Sequence, residues 1–473
     1  MVFSSAAFLF IFLPTVFILY RIIPSHRARN ALLLVFSLFF YAYGEPKAIA
    51  LMLVSVVMNY LFGLGMGAEN KARKPILVIS VICNLALLGV FKYAGFAAET
   101  VNLIPGVNLP VPHIALPVGI SFYTFQAMSY VIDAYRDPTN IQRNPFKIAL
   151  YITFFPQLIA GPIVKYHDVA EQIDHREITA ENTALGVKRF IVGLGEKLIL
   201  ANAMAVVADY VYSLDIDTVG MPLAWLGALV FPLQIYFDFG GYSNMAIGLG
   251  KMFGFEFKKN FDYPYISCST GEFWRRWNIS IGSWFGEYVY IPLGGSRKGK
   301  KREVFNKMVV FFLTGLWHGA GMTFVAWGIV NGIMICLEGL NKEYFKNLHG
   351  VRRAFGYVYT KLFLTVSTVF FRAENISFAV RFIGRMFNPA TITAESLSLA
   401  AAQLSPAFVF LLIIASLNSR PTVRYVLNTV AAKSEKAAKC VNIISYVGAA
   451  GLLILCILKL ASTSYNPFIY FRF

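Results

Sequence analysis

Apolar residues fill this chain in blocks of about 18–20, divided by short polar segments that collect Lys and Arg. Blocks of that length predict membrane-spanning helices. They fall at residues 2–20, 31–43, 49–66, 76–91, 116–132, 190–212, 222–250, 355–371, 402–417 and 441–461, about ten crossings in all. The basic loops set the direction. Arg21, Arg27 and Arg29 mark the first loop as cytoplasmic, which leaves both chain termini extracytoplasmic. The block from Val2 is followed at once by further spans and has no small-residue cleavage site, so it is expected to stay as a first anchor.

Three apolar stretches break the alternation. Residues 148–164 are interrupted by Pro156, Gly161 and Pro162 and are basic on both flanks, which predicts a re-entrant segment. Residues 273–293 are aromatic, carry Arg275 and Arg276, and precede Arg297–Arg302; an amphipathic or re-entrant cytoplasmic element is expected. Residues 304–340 begin and end beside basic clusters and are too long for one span. They should enter the membrane and return, with the turn at His318-Gly319-Ala320-Gly321, where paired glycines weaken a helix.

Composition agrees: 57% of residues are hydrophobic, 14% are charged, and mean hydropathy is +0.60. One all-α integral membrane domain over residues 1–473 is the expectation, without linkers or repeats. The net charge of +17 would suggest nucleic acid on a soluble chain. Here the cations sit in short loops, where the positive-inside rule and lipid phosphates account for them, so no nucleic-acid partner is expected. The five cysteines are scattered without a C-x-x-C pair, which argues against a disulfide framework or a metal site.

His318 is the one histidine of six inside an apolar run. An ionisable group at membrane depth is costly and usually functional, and imidazole moves protons near neutral pH. The other five sit in loops, where solvation is the default. Trp274, Trp277, Arg275 and Arg276 read equally well as interfacial belt residues or as a mouth that attracts an anionic donor. Asp238, also in an apolar run, needs a partner; His318 and Arg275 are both open. No G-x-S-x-G, H-E-x-x-H or P-loop pattern is present.

Several motifs together resemble the membrane-bound O-acyltransferases, in particular the alginate O-acetyltransferase membrane subunits. They are MVFSSAAFLFIFLP at Met1, LPVGISFYTFQAMSYVIDAYR at Leu116, FFPQLIAGPIVKY at Phe154, QIYFDFGGYSNMAIGLGKMFGF at Gln234, FWRRWNISIGSWFGEYVYIPLGG at Phe273, LTGLWHGAGMTFVAWG at Leu313, VFFRAENISFAVRF at Val369 and the terminal NPFIYFRF. The resemblance implies a helical ring or funnel around a tunnel in the cell membrane. An acyl group, acetyl above all, would pass from a cytoplasmic thioester such as acetyl-CoA to an extracellular polysaccharide, with no bound cofactor and no metal. His318 matches the family's catalytic histidine. Asn278 stands where the W-H-I-S motif has a second histidine, and an amide orients but cannot act as a base. Gly241-Tyr242-Ser243-Asn244 stands for G-Y-S-D.

On this reading His318 is the base or acyl relay, and Asn278 or Trp317 steadies the oxyanion. Arg275, Arg276, Arg297 and Lys298 would hold the donor, and Trp317, Asp238, Tyr242, Trp274 and Trp277 would line or support the tunnel. Relatives of this branch work with an extracytoplasmic SGNH-type esterase-like partner. A D-alanine transfer protein of teichoic acid synthesis and a non-catalytic acyl channel are the alternatives.

Overall fold

The structure is a computed structural model that describes residues 1–68 and 70–462. The terminal NPFIYFRF motif therefore lies outside the described residues. The described residues form helices and connecting turns, and two compact units emerge: Met1–Phe190 with Ser243–Lys258, and Ile191–Tyr242 with the chain from Lys259 onward.

Among the described residues, seven helices are long and apolar enough to cross a membrane. An eighth span arises if Ala394–Ala402 and Pro406–Asn418, bent by 74°, count as one. This is fewer than the ten crossings expected from apolar blocks alone. The first block resolves into a π-helical turn Phe8–Phe12 and the helix Leu13–Ile22, which is short for a span. The block at 116–132 becomes Ile120–Arg136, a helix buried on nearly every face. It buries Ser121, Thr124, Gln126, Ser129 and Asp133 among its apolar residues, a polar load that suits surrounding protein better than lipid.

In the first unit, Ile120–Arg136 packs on Ala48–Gly65 and Lys71–Val101. Gly63 allows the close approach, since a Cβ there would enter the Tyr130 ring. Asn59 and Asn84 exchange amide hydrogen bonds of 3.0 and 2.8 Å between two of these helices, satisfying polar groups that lipid could not. Phe3, Phe8, Phe12, Phe40 and Phe155 form the aromatic core nearby. Residues 148–164 form no spanning helix: Pro145–Thr153 and Phe155–Leu158 are followed by irregular, buried chain. Irregular backbone at that depth is tolerable because protein surrounds it.

Two of the histidines expected in solvated loops are helical and bonded. His167 meets the Asp133 carboxylate at 2.8 Å, and His26 lies 3.1 Å from the Arg176 guanidinium.

In the second unit, the stretch at 273–293 is again non-spanning, built from Thr270–Arg276, Ile279–Phe285 and the π-turn Gly286–Tyr290. Lys300–His318 and Met322–Leu340 form a tight antiparallel hairpin, turning at His318–Gly321 as the glycine placement predicts. Gly319 and Gly321 are extended (φ −165° and −168°). Gly315 and Gly328 face each other so closely that a Cβ on Gly328 would lie 2.5 Å from the Phe311 carbonyl oxygen. Behind the hairpin, Met204, Val211, Phe231, Val369, Phe382 and Met386 belong to one buried apolar cluster.

Candidate active site

The Lys300–His318 helix begins in a basic cluster and ends on the imidazole. Its last lysine before the apolar run is Lys307, eleven residues before His318. At 1.5 Å per residue the ring lies about 16 Å further along the helix axis than Lys307.

His318 is 5% exposed. Trp317, Trp327 and Phe371 surround it edge to face, with ring centroids at 5.0, 5.2 and 5.0 Å. Burial does not seal it. The ring lines two cavities, one of about 1350 Å³ and one of about 750 Å³, and Trp274 and Trp277 are shared by both walls.

The larger cavity is charged. Its helical wall is Glu303, Lys307, Val310, Phe311, Thr314 and His318, a 3.6-residue periodicity that places six residues on one face. Arg275, Arg276, Lys342, Glu272 and Glu338 complete the charged lining. The acids are largely committed. Glu338 accepts from the Thr270 and Gly271 backbone N–H groups at 2.6 and 2.8 Å, capping the short Thr270–Arg276 helix. Glu272 binds Arg276 at 3.0 Å, and Glu303 pairs with Lys307 at 2.6 Å. Arg275 and Lys342 form no ion pair among the described residues and are exposed. An anionic ligand in this cavity meets those two cations first.

Asn278 follows the Thr270–Arg276 helix in the left-handed region (φ 44°, ψ 55°), a conformation asparagine tolerates better than most residues. This break turns the chain into Ile279–Phe285 and puts Asn278 on the wall of the charged cavity, buried. Its Nδ2 group has no hydrogen-bond partner among the described residues.

The smaller cavity is mostly apolar. Leu226, Leu229, Val230, Leu233 and Leu412 form one side, and the 361–371 face of the Gly350–Arg372 helix forms the other.

The remaining sequence candidates divide. His318, Asn278, Arg275, Arg276, Trp274 and Trp277 share the charged cavity. Trp317 packs on His318 but lines neither cavity. Arg297 and Lys298 are exposed on the turn after Tyr290, outside both walls. Tyr242 is buried away from both. Asp238, left between His318 and Arg275 by sequence, pairs instead with Lys197 at 2.7 Å.

Sequence reasoning passed over Lys197, Lys307, Glu338, Lys342 and Lys361. Two of them carried a usable signal: Lys197 and Lys361 are ionisable residues within apolar helices, the same criterion that singled out His318.

The family model for the membrane-bound O-acyltransferases matches residues 136–365. A probable alginate O-acetylase of Pseudomonas putida is 40% identical over the full length of both chains. A peptidoglycan O-acetyltransferase of Helicobacter pylori is 33% identical over 85% of this chain and 83% of its own. A teichoic acid D-alanyltransferase of Bacillus subtilis is 28% identical over 51% of this chain and 65% of its own. A likeness of that depth across the whole chain, added to a multi-pass helical architecture with a buried histidine between two cavities, means that this protein belongs to the membrane-bound O-acyltransferase family.

Proposed function

We propose that the chain is the membrane subunit of a polysaccharide O-acetylation system in the cell membrane. It takes an acetyl group from a cytoplasmic thioester, acetyl-CoA or an acylated carrier, and delivers it across the membrane toward hydroxyls of an extracellular polysaccharide. The alginate O-acetylase and peptidoglycan O-acetyltransferase relatives support the reaction class. The observation that carries the reading is that His318 is buried yet opens on a cation-lined cavity of about 1350 Å³.

In this reading the donor's anionic end rests on Arg275, Lys307 and Lys342, with Arg297 and Lys298 acting further out as long-range attraction. His318 takes the proton of an incoming hydroxyl while that oxygen attacks the thioester carbonyl. The C–S bond breaks, the ester forms, and the thiolate leaves with the proton. A transient acyl-imidazole divides the same transfer into two steps. The Asn278 amide steadies the developing oxyanion. Glu338, through the helix it caps, positions Trp274, Arg275 and Trp277. An extracytoplasmic SGNH-type partner completes delivery to the polymer.

His318→Ala decides between enzyme and passive channel. Polymer acetylation in cells carrying the variant should fall at least a hundredfold while the protein still inserts. Persistence of acetylation removes His318 from the chemistry. The Bacillus relative keeps a D-alanyl donor as the second reading, and labelled acetate against labelled D-alanine in the same membranes separates the two.

A further inference from the structure

The apolar cavity carries a feature that acyl transfer does not use. Lys361 lies in the middle of the Gly350–Arg372 helix, within an apolar run, and lines this cavity together with Arg420. Neither cation enters an ion pair among the described residues. Both sit over the same ring: Lys361 Nζ is 4.6 Å and the Arg420 guanidinium 5.6 Å from the Tyr357 centroid, and Arg420 also donates to the Tyr357 hydroxyl. Two like charges gathered at one aromatic ring, with no carboxylate among the described residues that line the cavity, form a site for an anion.

The rest of the cavity specifies what the anion is attached to. Arg420 follows the Pro406–Asn418 helix by two residues, so the guanidinium stands at a helix end, where membrane interfaces lie, and Lys361 reaches it from the middle of its own helix. From Lys361, the residues Leu364, Thr365, Thr368 and Phe371 continue on one helix face, and Phe371 touches the His318 ring. Ten residues of helix cover about 15 Å, half of a 30 Å hydrocarbon layer, which is the depth of one leaflet. Leu226, Leu229, Leu233 and Leu412 supply the facing wall.

We infer that this cavity is a specific site for an anionic phospholipid. The phosphate rests between Lys361 and Arg420, and one acyl chain runs inward along the leucine wall to Trp274 and Trp277. A free phosphate has no use for the 15 Å apolar wall, and a neutral lipid has none for the cations.

Tryptophans report the site directly, because Trp274, Trp277 and Trp327 line it. The full-length protein is reconstituted in phosphatidylcholine bilayers containing a small fraction of either brominated-chain phosphatidylglycerol or brominated-chain phosphatidylcholine, and tryptophan quenching is measured. Tryptophans on the outer surface feel both bromolipids alike. Phosphatidylglycerol should quench in excess, with a preference of about 25-fold if each cation contributes roughly fivefold. Unbrominated phosphatidylglycerol should reverse the excess in the unaltered protein, a result that depends on no variant. The excess should vanish in Lys361→Gln/Arg420→Gln and survive in Lys361→Arg. Equal quenching by the two lipids, or an excess that persists in the double variant, overturns the site. Loss of the excess on adding millimolar inorganic phosphate at constant ionic strength assigns the cations to free anions and overturns the lipid assignment.

Discussion

Replacing Lys197 by methionine should destabilise this protein by about 3–5 kcal/mol, although the residue lies on neither cavity. Lys197 Nζ is 2.7 Å from the Asp238 carboxylate, both side chains are 3% exposed, and the ammonium also donates to Asn202 Oδ1 at 3.1 Å. The helices Ala180–Ser213 and Met221–Met252 meet here almost backbone to backbone: a Cβ on Gly241 would fall 2.7 Å from the Gly193 carbonyl oxygen and 3.1 Å from the Lys197 nitrogen. That approach leaves little room for water to replace the lost ammonium, so the carboxylate is stranded without its charge partner. Asp238→Leu should cost a similar amount by stranding the ammonium. The double variant should behave differently, because well-packed apolar residues in place of a buried pair are commonly neutral or stabilising by about 1–4 kcal/mol. The two single losses therefore must not add. Equilibrium unfolding of full-length protein in bicelles, by steric trapping, gives all three values, and polymer acetylation is measured alongside. Single losses below about 1 kcal/mol that sum in the double variant would refute the reasoning, since they describe a solvated pair.

The two groups of cations proposed to bind the donor should separate kinetically. Arg275→Glu on the cavity wall should raise the donor KM about tenfold, while Arg297→Glu with Lys298→Glu, outside it, should change KM less and mainly in low salt; equal effects would dismiss the cavity as the donor's seat. Gly328→Val inserts side-chain atoms where the Phe311 carbonyl already stands. It should cost about 1–3 kcal/mol and reduce acetylation by tilting the hairpin that presents His318, and a variant with unchanged stability would show that the hairpin is not close-packed. Asn59→Leu should cost about 1 kcal/mol by orphaning Asn84, with partial recovery in Asn59→Leu/Asn84→Leu. Thermal midpoints of the single and double variants in detergent check the sign of the coupling.

The chain's membrane character, its re-entrant interruptions, the hairpin turn at His318–Gly321 and the candidacy of that histidine all follow from the order of residues. Each rests on a local quantity: run length, flanking charge, adjacent glycines, or one titratable group in an apolar setting. Hydropathy predicted ten crossings where, among the described residues, seven or eight helices qualify, because blocks such as 2–20 and 116–132 fold into helices that are too short or carry too many polar residues to span. Pairing was decided only in three dimensions. Asp238 finds Lys197 rather than His318 or Arg275, Glu338 caps a helix some seventy residues earlier in the chain, and Lys307 and Lys342 take the cavity wall while Arg297 and Lys298 stay outside. Periodicity tells which residues share a face of a helix, but the neighbour on that face is fixed by long-range packing, where a partner's distance along the chain carries no information about its distance in space.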